Sequence, residues 1–276
     1  MGVIGIGNET YLFVNGIKAQ NIITLHDGVT LLPVTAAFHY GKVSDLLEND
    51  LDYAVAAVSG RNLASQIRVS ASDPQQLAAK AWNAAWDCLL LGAIFHCDVM
   101  DNMQSDKPAE KLEEATYVNI TNYAFRSVLN DPYTLTDDDE GWICNHYAAA
   151  HGLLANDSFS TAVHAMASYQ WHSMPRVQLA IIWSGIESLF QVSTEISFRI
   201  SLYIANFLSD GNKEAAQELF EHTRKLYNAR SASVHGGKIK GNIESLVSES
   251  AALLNRIIRK CAEKNMLPPI DDLVFL

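Results

Sequence analysis

The 276-residue chain has little cysteine, little proline and no long apolar run. Its four cysteines, Cys88, Cys97, Cys144 and Cys261, form no C-x-x-C pair and no dense framework. That spacing excludes a disulfide scaffold and fits a reducing cytosol. The longest apolar stretch, Cys88–Phe95, is far short of the ~20 residues that a membrane span needs. The first residues lack the basic start of a secretory signal. Ile6 stands where a myristoylation signal needs Ser or Thr. The expectation is a cytoplasmic protein with no membrane partner.

Several catalytic signatures are also missing. There is no G-x-S-x-G elbow and no phosphate-binding P-loop, so the familiar hydrolase and NTPase readings have no support. H-E-x-x-H is absent, and His146, His151, His164 and His172 are spaced by five and eight within two expected helices rather than by three or four. No metal and no cofactor is expected. His96-Cys97-Asp98 has ligand-type residues at an expected strand start, but adjacent strand residues point to opposite faces. Gly2, Gly5 and Gly7 follow no strand and make no nucleotide loop. The Asp137–Glu140 run is read as a solvated loop favouring the next helix start rather than as a cation site.

What is present is a large core and an uneven charge. Apolar residues make up 49% and charged residues 18%, which excludes a disordered chain. The length suits one large domain or two modest ones. The net charge is −11, yet residues 176–276 carry 12 Lys and Arg against 11 Asp and Glu, while residues 1–175 carry 8 against 20. From Arg224 to Lys240 there are five basic residues and no acidic one. An acidic body opposes non-specific nucleic-acid binding, but a local basic patch allows a small RNA footprint. A solvated helix end is the simpler reading of the patch.

The pattern along the chain is α+β: a mixed α/β region over residues 1–130, then an all-α helical bundle over 142–265 and a tail over 266–276. Tyr11–Lys18, Val29–Val34 and Ser65–Ala71 read as strands. Asp73-Pro74 opens a helix to about Phe95, apolar on nearly all sides and so expected to be deeply buried. His96–Gln104 and Ala115–Tyr123 are further strand candidates. Residues 131–141 read as a loop and boundary. Helices are expected at about 142–154, 158–172, 176–191, 194–208, 212–234 and 242–264, with Asp157 or Ser158, Thr194 and Asn242 as caps.

One segment carries candidate chemistry: Leu226-Tyr-Asn-Ala-Arg230-Ser-Ala-Ser-Val-His235-Gly-Gly. Arginine offers a planar fork for a phosphate, and histidine moves protons near neutral pH. Five positions on a straight helix is about 140° of rotation, so the two side chains share a face only if Gly236-Gly237 lets the helix end fray. His235 also sits at the negative end of the helix dipole.

The order VQLAIIWSGIESLF (177–190), then STEISFRISLYIANFLSDG, then LYNARSASVHGG resembles the Apea-like branch of the HEPN superfamily, over roughly residues 142–265. The resemblance implies a helical bundle that forms a homodimer, with two R-x4-6-H motifs facing across a shared cleft. It further implies a metal-independent endoribonuclease of prokaryotic antiviral defence or abortive infection, with RNA as partner. Arg230 would hold the scissile phosphate, His235 would be the general acid or base, and Glu187 would orient one of them. The ribose 2′-hydroxyl would attack, leaving a 2′,3′-cyclic phosphate. Ser231 takes the polar position after the arginine. Tyr227 is read as a base-stacking or core residue, and Lys238 and Lys240 as holding flanking phosphates or as solvated lysines. Residues 1–130 would then be a sensor or regulator that answers a protein or ligand trigger. The alternatives are a non-catalytic HEPN dimerisation or binding module and a toxin controlled by a partner protein.

Overall fold

Short runs of β-formers broken by turn residues make the N-terminal sheet of this computed structural model, which describes residues 7–126, 130–192 and 195–274. Strands β1 (Glu9–Asn15), β2 (Ile17–Lys18), β3 (Ile23–His26), β4 (Val29–Pro33), β5 (Ser65–Ser70), β6 (Met100–Ser105), β7 (Val118–Ile120) and β8 (Tyr133–Thr134) form two sheets. The larger has the order β3-β4-β5-β1-β6-β7, antiparallel throughout, and β2 pairs with β8 in parallel. Register places Leu12 and Leu31 on either side of Ile67. Gly28 turns β3 into β4 at φ +75°, and a Cβ there would meet the Ser70 carbonyl at 2.6 Å. Both the backbone and the space therefore require glycine.

Helices α1 (Tyr40–Leu46) and α2 (Asp50–Gly60) were not expected from the sequence. Val43, Val55 and Ala56 pack with Tyr11, Phe13 and Met103 in one core. Strand β6 is buried along its whole length although four of its residues are Asp101, Asn102, Gln104 and Ser105. Hydrogen bonds make this tolerable. The Asn102 amide donates to the carbonyls of Asn122 and Ala124, and the Gln104 amide donates to Thr10.

Helix α3 (Pro74–Phe95) starts where Asp73-Pro74 predicts, with Asp73 accepting from the amides of Gln75 and Gln76 at 3.0 Å. Its expected all-round burial holds only for the last turns, where Leu90, Leu91, Ala93, Ile94 and Phe95 are all buried, and is corrected before them. Trp82 is 61% exposed and Trp86 is exposed as well, because there Leu77, Ala81, Ala84 and Cys88 form a single buried face. Alanines on the outer side raised the apolar count without demanding cover. The strand expected from His96 begins only at Met100, after His96 turns at φ 52°. The one expected over Ala115–Tyr123 shrinks to β7.

Helix α4 (Asp137–Leu153) starts five residues before the expected position. The Asp137–Glu140 run is its first turn, not a loop. Thr136 and Asp139 cap it reciprocally, and Glu140 accepts from the backbone of Gln20 and Asn21. The chain divides into two compact units inside α4: residues up to Gly92 with Cys97–Ala148, and Ala93–His96 with the residues from Ala149 onward.

The second unit is helical: α5 (Asp157–Ser168), α6 (Pro175–Phe190), α7 (Ile196–Ser209), α8 (Lys213–Val234) and α9 (Ile243–Lys264). Asn156 caps α5, rather than Asp157 or Ser158. Asn212 and Asn242 cap α8 and α9 through their side-chain oxygens. Thr194 lies outside the described residues. Trp183, Phe190, Ile204, Leu226, Leu254 and Ile258 are buried at its centre. The tail ends in a 3-10 turn, Ile270–Val274, where the Leu273 carbonyl accepts from Asn206. All four cysteines are free, and only Cys144 is exposed. Burial pushes the thiols of Cys97 and Cys261 up to about 12 and raises that of Cys88 well above its usual range. No helix among the described residues is long and apolar enough to cross a membrane.

Candidate functional site

Helix α6 turns Leu179, Ile182, Trp183, Ile186 and Phe190 into the core, which leaves Glu187 at the edge of that face. On α8 the inward residues are Thr223, Leu226, Tyr227 and Ala229, and Arg230 stands beside them. The two edges meet: Arg230 Nη2 donates to Glu187 Oε2 at 2.8 Å, with the side chains 20% and 29% exposed. Burial raises the Glu187 carboxyl above its usual range, and the attraction of Arg230 only partly offsets this. The pair is single-pronged. Arg230 Nε and Glu187 Oε1 are buried with no hydrogen-bond partner among the described residues.

Tyr227 lies beneath this pair. Its ring meets Trp183 edge-to-face at 5.3 Å, and the Arg230 guanidinium sits 5.7 Å from its centroid. Trp183 in turn donates its indole N–H to Ser250. Tyr227 is thus a buried support for the arginine, with its ring already in contact on both sides.

The expectation of a frayed helix end is corrected. The His235 amide still bonds the Ser231 carbonyl at 3.0 Å, Gly236 takes φ +71°, and the Gly237 amide reaches back to Ala232 at 2.8 Å. This closed glycine turn keeps the helix regular through Val234, with His235 as its cap. Arg230 and His235 therefore diverge by about 140° and are offset by about 7.5 Å along the axis. The His235 imidazole is exposed and has no hydrogen bond or ion pair among the described residues. Ser231 is half-buried on the same turn.

A residue that sequence reasoning missed holds this turn together. Arg176, in the first turn of α6, donates to the carbonyls of Ala232, Ser233 and Gly237 at 3.1–3.4 Å. The negative end of α8, expected to act on His235, is instead bonded to a guanidinium. The only signal for it was a cation at a helix start, where the dipole disfavours one.

On the outer side of α8, Arg224, Lys225, Asn228, Lys238 and Lys240 line an open cavity of about 590 Å³. Lys225 is 3.6 Å from Glu249, whose carboxyl is held below its usual range first by Ser245 and then by Lys225 and His222. Arg224, Lys238 and Lys240 are exposed. The structure thus joins Glu187, Arg230 and Tyr227 in one cluster and places Lys238 and Lys240 in another. Glu187 and His235, the two ligand-type groups of the set, are not brought together for a metal. No family model matches the chain, and neither does any curated protein or solved structure.

Proposed function

We propose that the helical region is a metal-independent endoribonuclease of the Apea-like HEPN type, working in the cytoplasm in antiviral defence or abortive infection. The observation that supports this best is Arg230. It is a mostly buried cation, oriented by Glu187 at 2.8 Å, on a helix that ends in an exposed histidine beside a basic cavity. In this reading Arg230 holds the scissile phosphate and Glu187 is a positioning residue. His235 moves the proton as the 2′-oxygen attacks phosphorus and the bond to the 5′-oxygen breaks. Because Arg230 and His235 diverge on one chain, the working site needs two copies, with each α8 end facing the other across a two-fold cleft. The N-terminal unit regulates it, and its acidic charge limits unspecific RNA contact.

The test is cleavage of total RNA and tRNA in excess EDTA by the full chain, Arg230→Ala and His235→Ala at matched folding and oligomeric state. The expected result is cleavage by the unmodified chain alone, leaving cyclic-phosphate ends. Equal cleavage by all three would sink the assignment. A second reading, a non-catalytic binding module, is favoured by the His235 imidazole, which no side chain among the described residues orients. On that reading none of the three cleaves, and His235→Ala keeps its partner.

A further inference from the structure

We infer that the cavity between α8 and residues 236–241 is a sequence-independent track for the RNA backbone, with Arg224, Lys238 and Lys240 each facing a phosphate. The identification of the polyanion as RNA rests on the ribonuclease reading.

Three observations carry the inference. The first is charge. Four cations line one cavity of about 590 Å³ against a single carboxylate, Glu221. Among the described residues only Lys225 of these four has an ion-pair partner, so Arg224, Lys238 and Lys240 repel one another with no carboxylate bonded to any of them. A chain of phosphates relieves that repulsion and releases its own counterions.

The second is composition. The lining has no aromatic residue, and Ala229 and Ala232 form its floor. With no ring to stack a base, the cavity contacts the backbone and tolerates any sequence.

The third is direction. Arg224 and Asn228 lie eleven and seven residues before His235, each within about 20° of it around the helix. The cavity therefore shares the face of His235, not that of Arg230. Glu221, one turn further back, repels phosphate and marks the far end of the track.

The experiment uses the full chain carrying His235→Ala as an uncleaving background. Binding of fluorescent 12-mers of oligo-U and oligo-A is measured in EDTA between 50 and 200 mM KCl. It is compared with the same background carrying Arg224→Gln, Lys238→Gln and Lys240→Gln, all three exposed, with thermal melting as the folding check. The triple variant is expected to bind at least about tenfold more weakly. Its slope of log K against log salt should fall by roughly 2, from ~0.7 per phosphate contact on single strands. The loss should be equal for U and A, and Lys238→Arg with Lys240→Arg should retain the parent slope. An unchanged slope, or a loss confined to one base, overturns the track. If the chain with His235 intact still cleaves RNA in that case, the ribonuclease reading survives alone. Cavity-dependent binding without any cleavage has the opposite meaning: the track stands and the ribonuclease reading falls. No RNA binding at all overturns both.

Discussion

On one side of α8, Arg230 is mostly buried, bonded to Glu187 and laid over Tyr227; on the other, Arg224, Lys238 and Lys240 are exposed with no carboxylate among the described residues bonded to them. The same helix thus carries cations in two states. A guanidinium out of water needs a partner, and that partner also fixes its orientation. One left in water has no such need. The contrast separates residues that keep the helical unit folded from those whose loss leaves the fold unchanged.

The largest test removes the base of the buried side. Trp183→Ala deletes a fully buried ring that supports Tyr227 and bonds Ser250, and urea unfolding should show a loss of about 3–5 kcal/mol. Next, Arg230→Ala leaves the Glu187 carboxylate half-buried without its partner and should cost about 1–3 kcal/mol. Adding Glu187→Ala should recover part of that loss, and a purely additive double variant would show that the pair does not couple.

A smaller effect is pH-dependent. Folding raises the Glu187 carboxyl, so the folded chain holds this proton more tightly than the unfolded one. Its contribution to stability is fully present below the ordinary glutamate range, about 4.3, and declines as pH rises through the raised folded value. The stability of the parent chain relative to Glu187→Gln should therefore decrease between pH 4 and pH 7. An increase would reverse the assigned direction. The smallest effect belongs to the exposed side: Lys238→Gln and Lys240→Gln should change stability by less than about 0.5 kcal/mol.

The helical unit was the more legible half. Pro175, Asn212, Asn242 and the Gly236-Gly237 stop carry local chemistry that acts where it stands, so the ends of α6, α8 and α9 fell within a residue of expectation. The N-terminal unit obeys longer-range rules. Strand β6 hides polar residues that only cross-strand bonding makes acceptable, and α1 and α2 are short segments stabilised by the core they cover. Within the candidate site, the resemblance implied that Glu187 would orient Arg230 or His235, and Glu187 bonds Arg230. The 140° divergence of His235 followed from helix geometry. Arg176 did not, because its partners are carbonyls 56–61 residues away, which no motif encodes.

The sorting of the cysteines makes the protein its own chemical reporter. Alkylation proceeds through the thiolate, which burial suppresses at Cys88, Cys97 and Cys261, while Cys144 faces solvent on α4. A colorimetric thiol reagent should therefore find one fast equivalent in the native chain and four in the denatured one. The rise from one to four gives a clock for unfolding that needs no engineered label.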